Sequence, residues 1–141
     1  MRWTFYPLLK LPAPLDVVWC RFPLEEAGLA VPGPKARPAL VRSVLLTKDH
    51  QRAYLEVTYG TSKRRESERP LDLHICNLSE MDAAGLPQAT CFVLARTVRL
   101  PWAHEFFTIR DDGTGPIIGH LPPSALMQLE ALKVQRRQKK T

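Results

Sequence analysis

The sequence predicts a mainly β fold, a small and strongly bent sheet or barrel capped by a C-terminal helix. Seven of the 13 prolines lie between residues 7 and 38, where the missing amide proton and the ring of proline exclude long helices. Further along, short apolar runs rich in β-branched residues alternate with turn-forming segments. Apolar residues repeat at helical spacing only near the end of the chain. The lack of strand–helix alternation argues against a Rossmann-type fold.

The predicted strands follow one another between residues 15 and 109. The first ends at Pro23 and leads into a loop, residues 24–36, whose glycines and prolines turn the chain back to the sheet at Arg37. The next two strands form a hairpin around the polar turn 48–52, and a charged loop follows at 63–70. We expect strands at 15–22, 38–47, 53–59, 71–75, 90–100 and 106–109.

A single helix ends the predicted fold. Ser124 follows two prolines and is a good N-cap residue. Apolar residues then recur at helical spacing through to about Arg137, which indicates a stripe packed on the core. The stripe consists of Ala125, Leu126, Leu129 and Leu132. The basic end, at about 133–141, suits the negative C-terminal pole of a helix and is expected to form a tail.

The composition bounds the class of protein. With 141 residues, of which 45% are apolar and 24% charged, the chain is expected to be one globular domain spanning residues 1–141. The formal net charge is +6, and five of these charges belong to the tail: Lys133, Arg136, Arg137, Lys139 and Lys140. The remainder carries only about +1, so the overall charge does not identify a nucleic-acid site.

The cysteines and histidines indicate a reducing compartment and give no metal site. Cys20, Cys76 and Cys91 are an odd number of thiols at no metal-like spacing. The four histidines also lack the spacing of a ligand set, so neither a metal ion nor another cofactor is expected. No apolar run approaches the ~20 residues of a membrane span, and prolines interrupt the opening segment before a signal-peptide core forms. We therefore expect a cytoplasmic protein with no membrane contact.

Two neighbouring strand ends carry the candidate chemistry. Arg37 stands at the mouth of one apolar strand, and Thr61-Ser62-Lys63 ends the next, with 24 positions from Arg37 to the threonine. A guanidinium can bind a phosphate through two parallel hydrogen bonds, and the hydroxyl and ammonium groups add further donors. The residues alone leave two interpretations open. One is a phosphate site; the other is an arginine paired with Glu25, Glu26 or Glu56 beside an ordinary Thr-Ser turn.

The order of these segments resembles the MazF/PemK family of toxin endoribonucleases from type II toxin–antitoxin modules. The matching elements are a Val-Val-Trp-Cys-Arg-Phe strand, a polar Gly/Pro loop with acidic residues, the block Arg37-Pro38-Ala39-Leu40-Val41 and a strand ending in Thr-Ser-Lys. The resemblance runs from about Leu15 to the C-terminal helix. It implies an SH3-like barrel with a C-terminal helix, usually a homodimer, that cuts single-stranded RNA without a metal ion and has a cognate antitoxin protein as its partner.

The resemblance also assigns roles to residues. Catalysis falls to Arg37 and Thr61, which stabilise the phosphorane formed when a ribose 2′-hydroxyl attacks the adjacent phosphate. Glu25 or Glu26 corresponds loosely to an acidic loop position, although this loop lacks the family's Glu-Gln-x-Gly pattern. The residues expected to contact substrate are Lys35, Ser62, Lys63, Glu25, Arg96 and Trp102.

One departure from the family pattern leaves the activity open. Some PemK-type members carry an arginine and, two residues on, an aspartate as acid and base in the strand at 90–100. Aligning the Arg96-Thr97 pair puts Cys91 and Val93 at those positions, and neither a valine nor a neutral thiol can do this work. The chain is then either a ribonuclease that relies on its arginine and threonine, or a degenerate barrel that binds RNA or protein without cutting.

The aromatic segment 98–107 also has two interpretations. Beside a basic site, Trp102, Phe106 and Phe107 can stack on unpaired bases, and His104 can act as the missing general base. The same residues equally suit a core or dimer-interface hairpin. In a non-catalytic module they would instead dock a protein partner.

Overall fold

A computed structural model describes residues 3–28 and 31–139 as a mainly β structure with a C-terminal helix, which confirms this part of the prediction. The strands are β1 (Asp16–Cys20), β2 (Arg37–Leu46), β3 (Ala53–Thr61), β4 (Leu73–Ile75), β5 (Thr90–Pro101) and β6 (Ile117–His120). The helices are α1 (Leu78–Ala84) and α2 (Pro123–Lys139), with short 3₁₀ helices at Leu8–Lys10 and Glu25–Ala27. The proline-rich first quarter thus holds no α-helix in the part that the structure describes.

The six strands form one antiparallel sheet in the order β4-β5-β3-β2-β1-β6. The first three strands are a meander, because each pairs with the next along the chain. Strand β5 then pairs with β3, while β6 returns to the far side of β1 and aligns His120 with Asp16. The start of β2 and the end of β3 therefore lie side by side at the same end of the sheet.

Apolar clusters cover both faces of this sheet. On one face, residues such as Val41 and Leu55 pack against aromatic side chains from the N-terminal segment and from the loop after β5. On the other face, Leu40 and Phe92 pack against α2. The helix contributes three of the four residues of the predicted stripe as buried side chains: Ala125, Leu129 and Leu132. Burial on both faces explains the unbroken apolar run Ala39-Leu40-Val41 in the first half of β2.

The predicted strand at 106–109 is wrong, and β6 takes its place at the edge of the sheet. Phe106 and Phe107 are fully buried, but both of their amide groups donate to Ala103 O, which bends the chain into a turn. A single bridge to Cys20 is all the strand pairing there. Their apolar character reflects core packing in a loop, whereas β6 is a partly exposed segment whose pairing partner lies about a hundred residues earlier.

Helix α1 has signals at both ends that the sequence interpretation missed. The side chain of Asn77 accepts a hydrogen bond from Glu80 N at 2.8 Å, and Glu80 Oε1 accepts one from Asn77 Nδ2 at 2.9 Å. Gly85 ends the helix in the left-handed conformation. A Cβ on Gly119 of β6 would lie 2.2 Å from the Ala84 carbonyl carbon, so a glycine lets the strand approach this helix end.

Ser124 is the second residue of α2 rather than its N-cap, because Pro123 already occupies the first helical position. Its hydroxyl instead donates to Glu80 Oε2 at 2.5 Å and so links α2 to α1. Within the described ranges, neither helix combines the length and the apolar character needed to cross a bilayer.

Candidate active site

Arg37 and Thr61 line the same cleft at one end of the sheet. They are the first residue of β2 and the last residue of β3, so antiparallel pairing brings them together. The cleft has a volume of about 220 Å³. Its walls include Trp19, Arg37, Gly60, Thr61, Ser62, Gln88 and Arg110. The structure therefore brings together the arginine and the Thr-Ser pair that the sequence singled out. It also places in the cleft three side chains that the sequence analysis did not identify: Trp19, Gln88 and Arg110.

A close approach of three strands fixes the position of Thr61. A Cβ on Gly60 would lie 2.4 Å from Pro38 O and 2.9 Å from the ring of Phe92, so only glycine fits between β2 and β5 at this point. The register of β3 against β5 shifts just before it, and Thr61 then pairs with Cys91. The glycine thus sets where the threonine hydroxyl stands relative to the arginine.

The guanidinium of Arg37 forms no ion pair with any carboxylate in residues 3–28 and 31–139. Two of the glutamates considered as its partners are engaged elsewhere: Glu25 lies 3.7 Å from Arg96 Nε, and Glu56 lies 3.6 Å from Arg99 Nη2. A half-buried arginine with unused donors at the mouth of a cleft is suited to an anionic ligand. The geometry therefore favours the phosphate-site interpretation over the ion-pair interpretation.

Thr61 serves the local turn and retains a donor. Only 4% of the residue is exposed, and its Oγ1 accepts a hydrogen bond from Lys63 N at 3.2 Å. A hydroxyl also carries one proton to donate, so this contact leaves Thr61 able to bind a phosphate oxygen. Ser62 is exposed on the cleft wall, while the exposed Lys35 and Lys63 are not among the residues that line it.

Arg96 and Glu25 hold a loop in place and do not line the cleft. Arg96 Nη2 donates to Pro23 O at 2.9 Å, and the guanidinium lies over the ring of Tyr59, 4.2 Å from its centroid. A second ring, that of Phe22, lies 5.1 Å from the same group. These contacts fasten the segment after β1 to the sheet. The pair predicted to touch substrate is therefore a structural clamp in this fold.

Trp102 is not available to stack on a base, which corrects its predicted place in the site. The side chain is 0% exposed and packs on Tyr6 and Phe107 in the core. Its neighbour Phe106 is equally buried, as expected for the core-hairpin interpretation. The ring of His104 stacks on Tyr6 at a centroid distance of 3.9 Å and lies outside the cleft. Neither aromatic stacking nor a histidine base is supplied to the cleft by this segment.

Cys91 and Val93 are both buried in β5. Burial, aided by the nearby Asp72 carboxylate, raises the pKa of the Cys91 thiol to about 11. The thiol is therefore neutral near pH 7, and its sulfur lies 3.8 Å from His74 Nε2. An acid–base pair at these two positions is absent from the described chain.

Sequence reasoning missed Trp19, Gln88 and Arg110. Gln88 comes from the loop between α1 and β5, and Arg110 from the turn that precedes β6. The Arg110 Cζ atom lies over the ring of Trp19 at 4.5 Å from its centroid. Trp19 could have been found, because it pairs with Pro38 next to Arg37. For Gln88 and Arg110, no spacing along the chain indicates a position in the cleft.

No protein-family model matches this chain, and no curated protein matches it either. The described residues also contain no group of three histidine, cysteine or acidic side chains placed to hold a metal ion.

Proposed function

We propose that the chain is a metal-independent endoribonuclease similar to the MazF/PemK toxins, acting within a type II toxin–antitoxin module. The observation that carries the proposal is that Arg37, which pairs with no carboxylate of the described residues, shares one cleft with the Thr61 hydroxyl. At about 220 Å³ the cleft is smaller than the roughly 300–1,000 Å³ pockets that enclose whole small molecules. It suits a segment of a polymer that runs across the end of the sheet.

The proposed reaction transfers a phosphoryl group within the RNA. The ribose 2′ oxygen bonds to phosphorus while the bond to the 5′ oxygen breaks, which leaves a 2′,3′-cyclic phosphate and a 5′-hydroxyl. Solvent takes the proton from the 2′-hydroxyl and gives one to the 5′ oxygen, since Cys91 and Val93 cannot. Arg37 binds the two non-bridging oxygens and Thr61 donates to one of them, so both contacts strengthen as negative charge builds up on the phosphorane.

The wider proposal follows from the same resemblance. The open antiparallel sheet with α2 packed on one face supports an SH3-like barrel of the PemK/MazF type. In this proposal the protein acts in the cytoplasm as a homodimer, and its cognate antitoxin covers the cleft with an acidic or apolar segment. The exposed Lys35 and Lys63 beside the cleft attract the RNA backbone.

A second candidate is an RNA-binding module that does not cut. The buried Cys91 and Val93 favour it, because no proton carrier stands where PemK-type members place an acid and a base. Protein docking through Trp102, Phe106 and Phe107 loses its basis, because all three side chains are fully buried.

Incubation of the purified protein with single-stranded RNA in EDTA separates these candidates. We expect fragments with cyclic phosphate and 5′-hydroxyl ends, and Arg37→Ala should slow their formation by about 10²–10³-fold. Arg52→Ala is the matched control, because it removes an exposed arginine outside the cleft. RNA that is bound but stays intact would establish the second candidate, and RNA that is neither bound nor cut would overturn both.

A further inference from the structure

A second arginine lines the cleft and comes from a loop outside the β1–β2–β3 meander. Arg110 lies in an exposed turn, and its guanidinium rests over the ring of Trp19 at 4.5 Å from the centroid. Trp19 itself is only 6% exposed and belongs to β1. The arginine is thus held on a rigid strand even though its backbone belongs to a loop. Its side chain lines the same cavity as Arg37.

The turn around Arg110 brings an acidic side chain near its guanidinium without forming an ion pair. Hydrogen bonds from Thr114 first, and then the charge of this arginine, lower the pKa of Asp112. In that turn, Asp112 uses Oδ1 to accept hydrogen bonds from Thr114 N at 3.0 Å and Thr114 Oγ1 at 2.6 Å. The backbone of Arg110 closes the same turn with Thr114 O at 2.8 Å. In the ranges that the structure describes, no carboxylate pairs with the Arg110 side chain. The cleft therefore presents two guanidinium groups with no ion pair to either.

We propose that Arg110 binds a second phosphate of the RNA strand whose scissile phosphate is held by Arg37. This inference rests on the proposed function, and it narrows the substrate to a strand with a charged phosphate next to the scissile one. Consecutive phosphates of one strand can each engage one of the two guanidinium groups. A single phosphate bridging both would instead leave the flanking phosphates without effect, which the second test below distinguishes. Arg110 is a positioning residue here: it holds the strand and takes no part in bond formation.

The first test measures binding of a short single-stranded oligodeoxynucleotide, which cannot be cut because it lacks the 2′-hydroxyl. Arg110→Ala should weaken binding by about tenfold and reduce the slope of log K against log salt by about 0.7, the loss of one phosphate contact on a single strand. Arg52→Ala is a close control, because Arg52 is also exposed and lies over a ring, that of Phe5 at 5.5 Å, outside the cleft.

The second test replaces each phosphate beside the scissile one, in turn, with an uncharged methylphosphonate. At one of the two flanking positions, the replacement should lower kcat/KM by about as much as Arg110→Ala does with the unmodified strand. Applied together, the two changes should cost no more than either alone, because they remove the same contact. Thermal unfolding of each variant shows whether the fold is kept.

The outcomes separate the inference from the function on which it rests. If the unmodified protein binds the strand and Arg110→Ala behaves like Arg52→Ala, the role of Arg110 is overturned and the proposed function stands. The role of Arg110 is also overturned if the loss of kcat/KM from Arg110→Ala adds to the loss from the methylphosphonate at each of the two flanking positions. If the unmodified protein binds no strand, the proposed function fails and the inference fails with it.

Discussion

The arginines of this chain differ in what holds their guanidinium groups. Arg96 has a carbonyl, a carboxylate and two aromatic rings around it, so its binding capacity is already used within the fold. Arg37 and Arg110 line a cleft and pair with no described carboxylate. Residue type and position along the chain do not distinguish these cases. What distinguishes them is the set of contacts that the fold supplies.

The three cysteines also divide by environment, and their reactivity should follow. The pKa is raised at all three thiols, first by desolvation, so what separates them is access: Cys76 is exposed, whereas Cys20 and Cys91 are buried. We expect a disulfide reagent such as DTNB to modify one thiol per folded chain and all three after denaturation. Cys76→Ser should remove the rapid signal. Rapid modification of that variant would contradict the burial of the other two.

Sequence alone located Arg37 and Thr61 because strand ends that face each other in a hairpin are set by local pairing. It could not separate the clamp, Arg96, from a ligand contact, since the loop that Arg96 fastens is distant along the chain. The place of Arg110 in the cleft could not be predicted from the sequence for a similar reason. Its approach to Trp19 depends on how the segment before β6 docks on β1, where Trp19 N donates to Pro116 O at 2.8 Å.

Among the secondary-structure elements, α1 is the one whose local signals were sufficient and were overlooked. Asn77 and Glu80 cap its first turn reciprocally, and Gly85 ends it. Strand β6 is a different case: it is short, partly exposed and contains a glycine, so its pattern is weak. Its pairing with β1 gives it its conformation. The conformation of β6 thus depends on tertiary contacts, whereas the capping residues alone are enough to indicate α1.

The cap of α1 gives a prediction about stability. Asn77→Ala removes the acceptor for Glu80 N and should lower the free energy of unfolding by about 1 kcal/mol. Asn77→Ser keeps a capping oxygen and should recover most of that loss. Urea unfolding of the three proteins measures the difference. Equal stability of the alanine and asparagine forms would show that this cap contributes nothing in the folded protein.

At the scale of the whole molecule, one buried carboxylate joins parts that are far apart in sequence. The Asp72 side chain is 2% exposed and accepts hydrogen bonds from Arg69 Nε at 2.8 Å and from Leu94 N of β5 at 3.1 Å. Arg136 of α2 approaches the same carboxylate at 3.5 Å and donates to Leu71 O at 3.2 Å. The charged loop, the sheet and the C-terminal helix therefore meet at this residue.

Removal of this carboxylate should loosen all three parts together. We expect Asp72→Ala to lower the free energy of unfolding by about 3 kcal/mol, because it leaves Arg69 and the Leu94 amide without their acceptor and removes one of the two acceptors of Arg136. Asp111→Ala, in an exposed turn, is the matched control and should change stability by less than about 0.5 kcal/mol. Chemical denaturation followed by circular dichroism reports both. A loss in Asp72→Ala no larger than in the control would refute the joining role.

The return of β6 to the first strand has a consequence for the order of folding. The β1–β2–β3 meander needs only contacts between neighbours in sequence, so the strand ends with Arg37 and Thr61 can meet early. The outer edge of β1 pairs with β6, whose His120 bonds to Asp16 and lies 104 residues further along the chain. This edge therefore stays unpaired until β6 has been synthesised. During synthesis from the N-terminus, the loop that carries Arg110 can pack on Trp19 only after most of the chain has left the ribosome. A nascent chain thus carries the two proposed catalytic residues well before it carries a finished cleft.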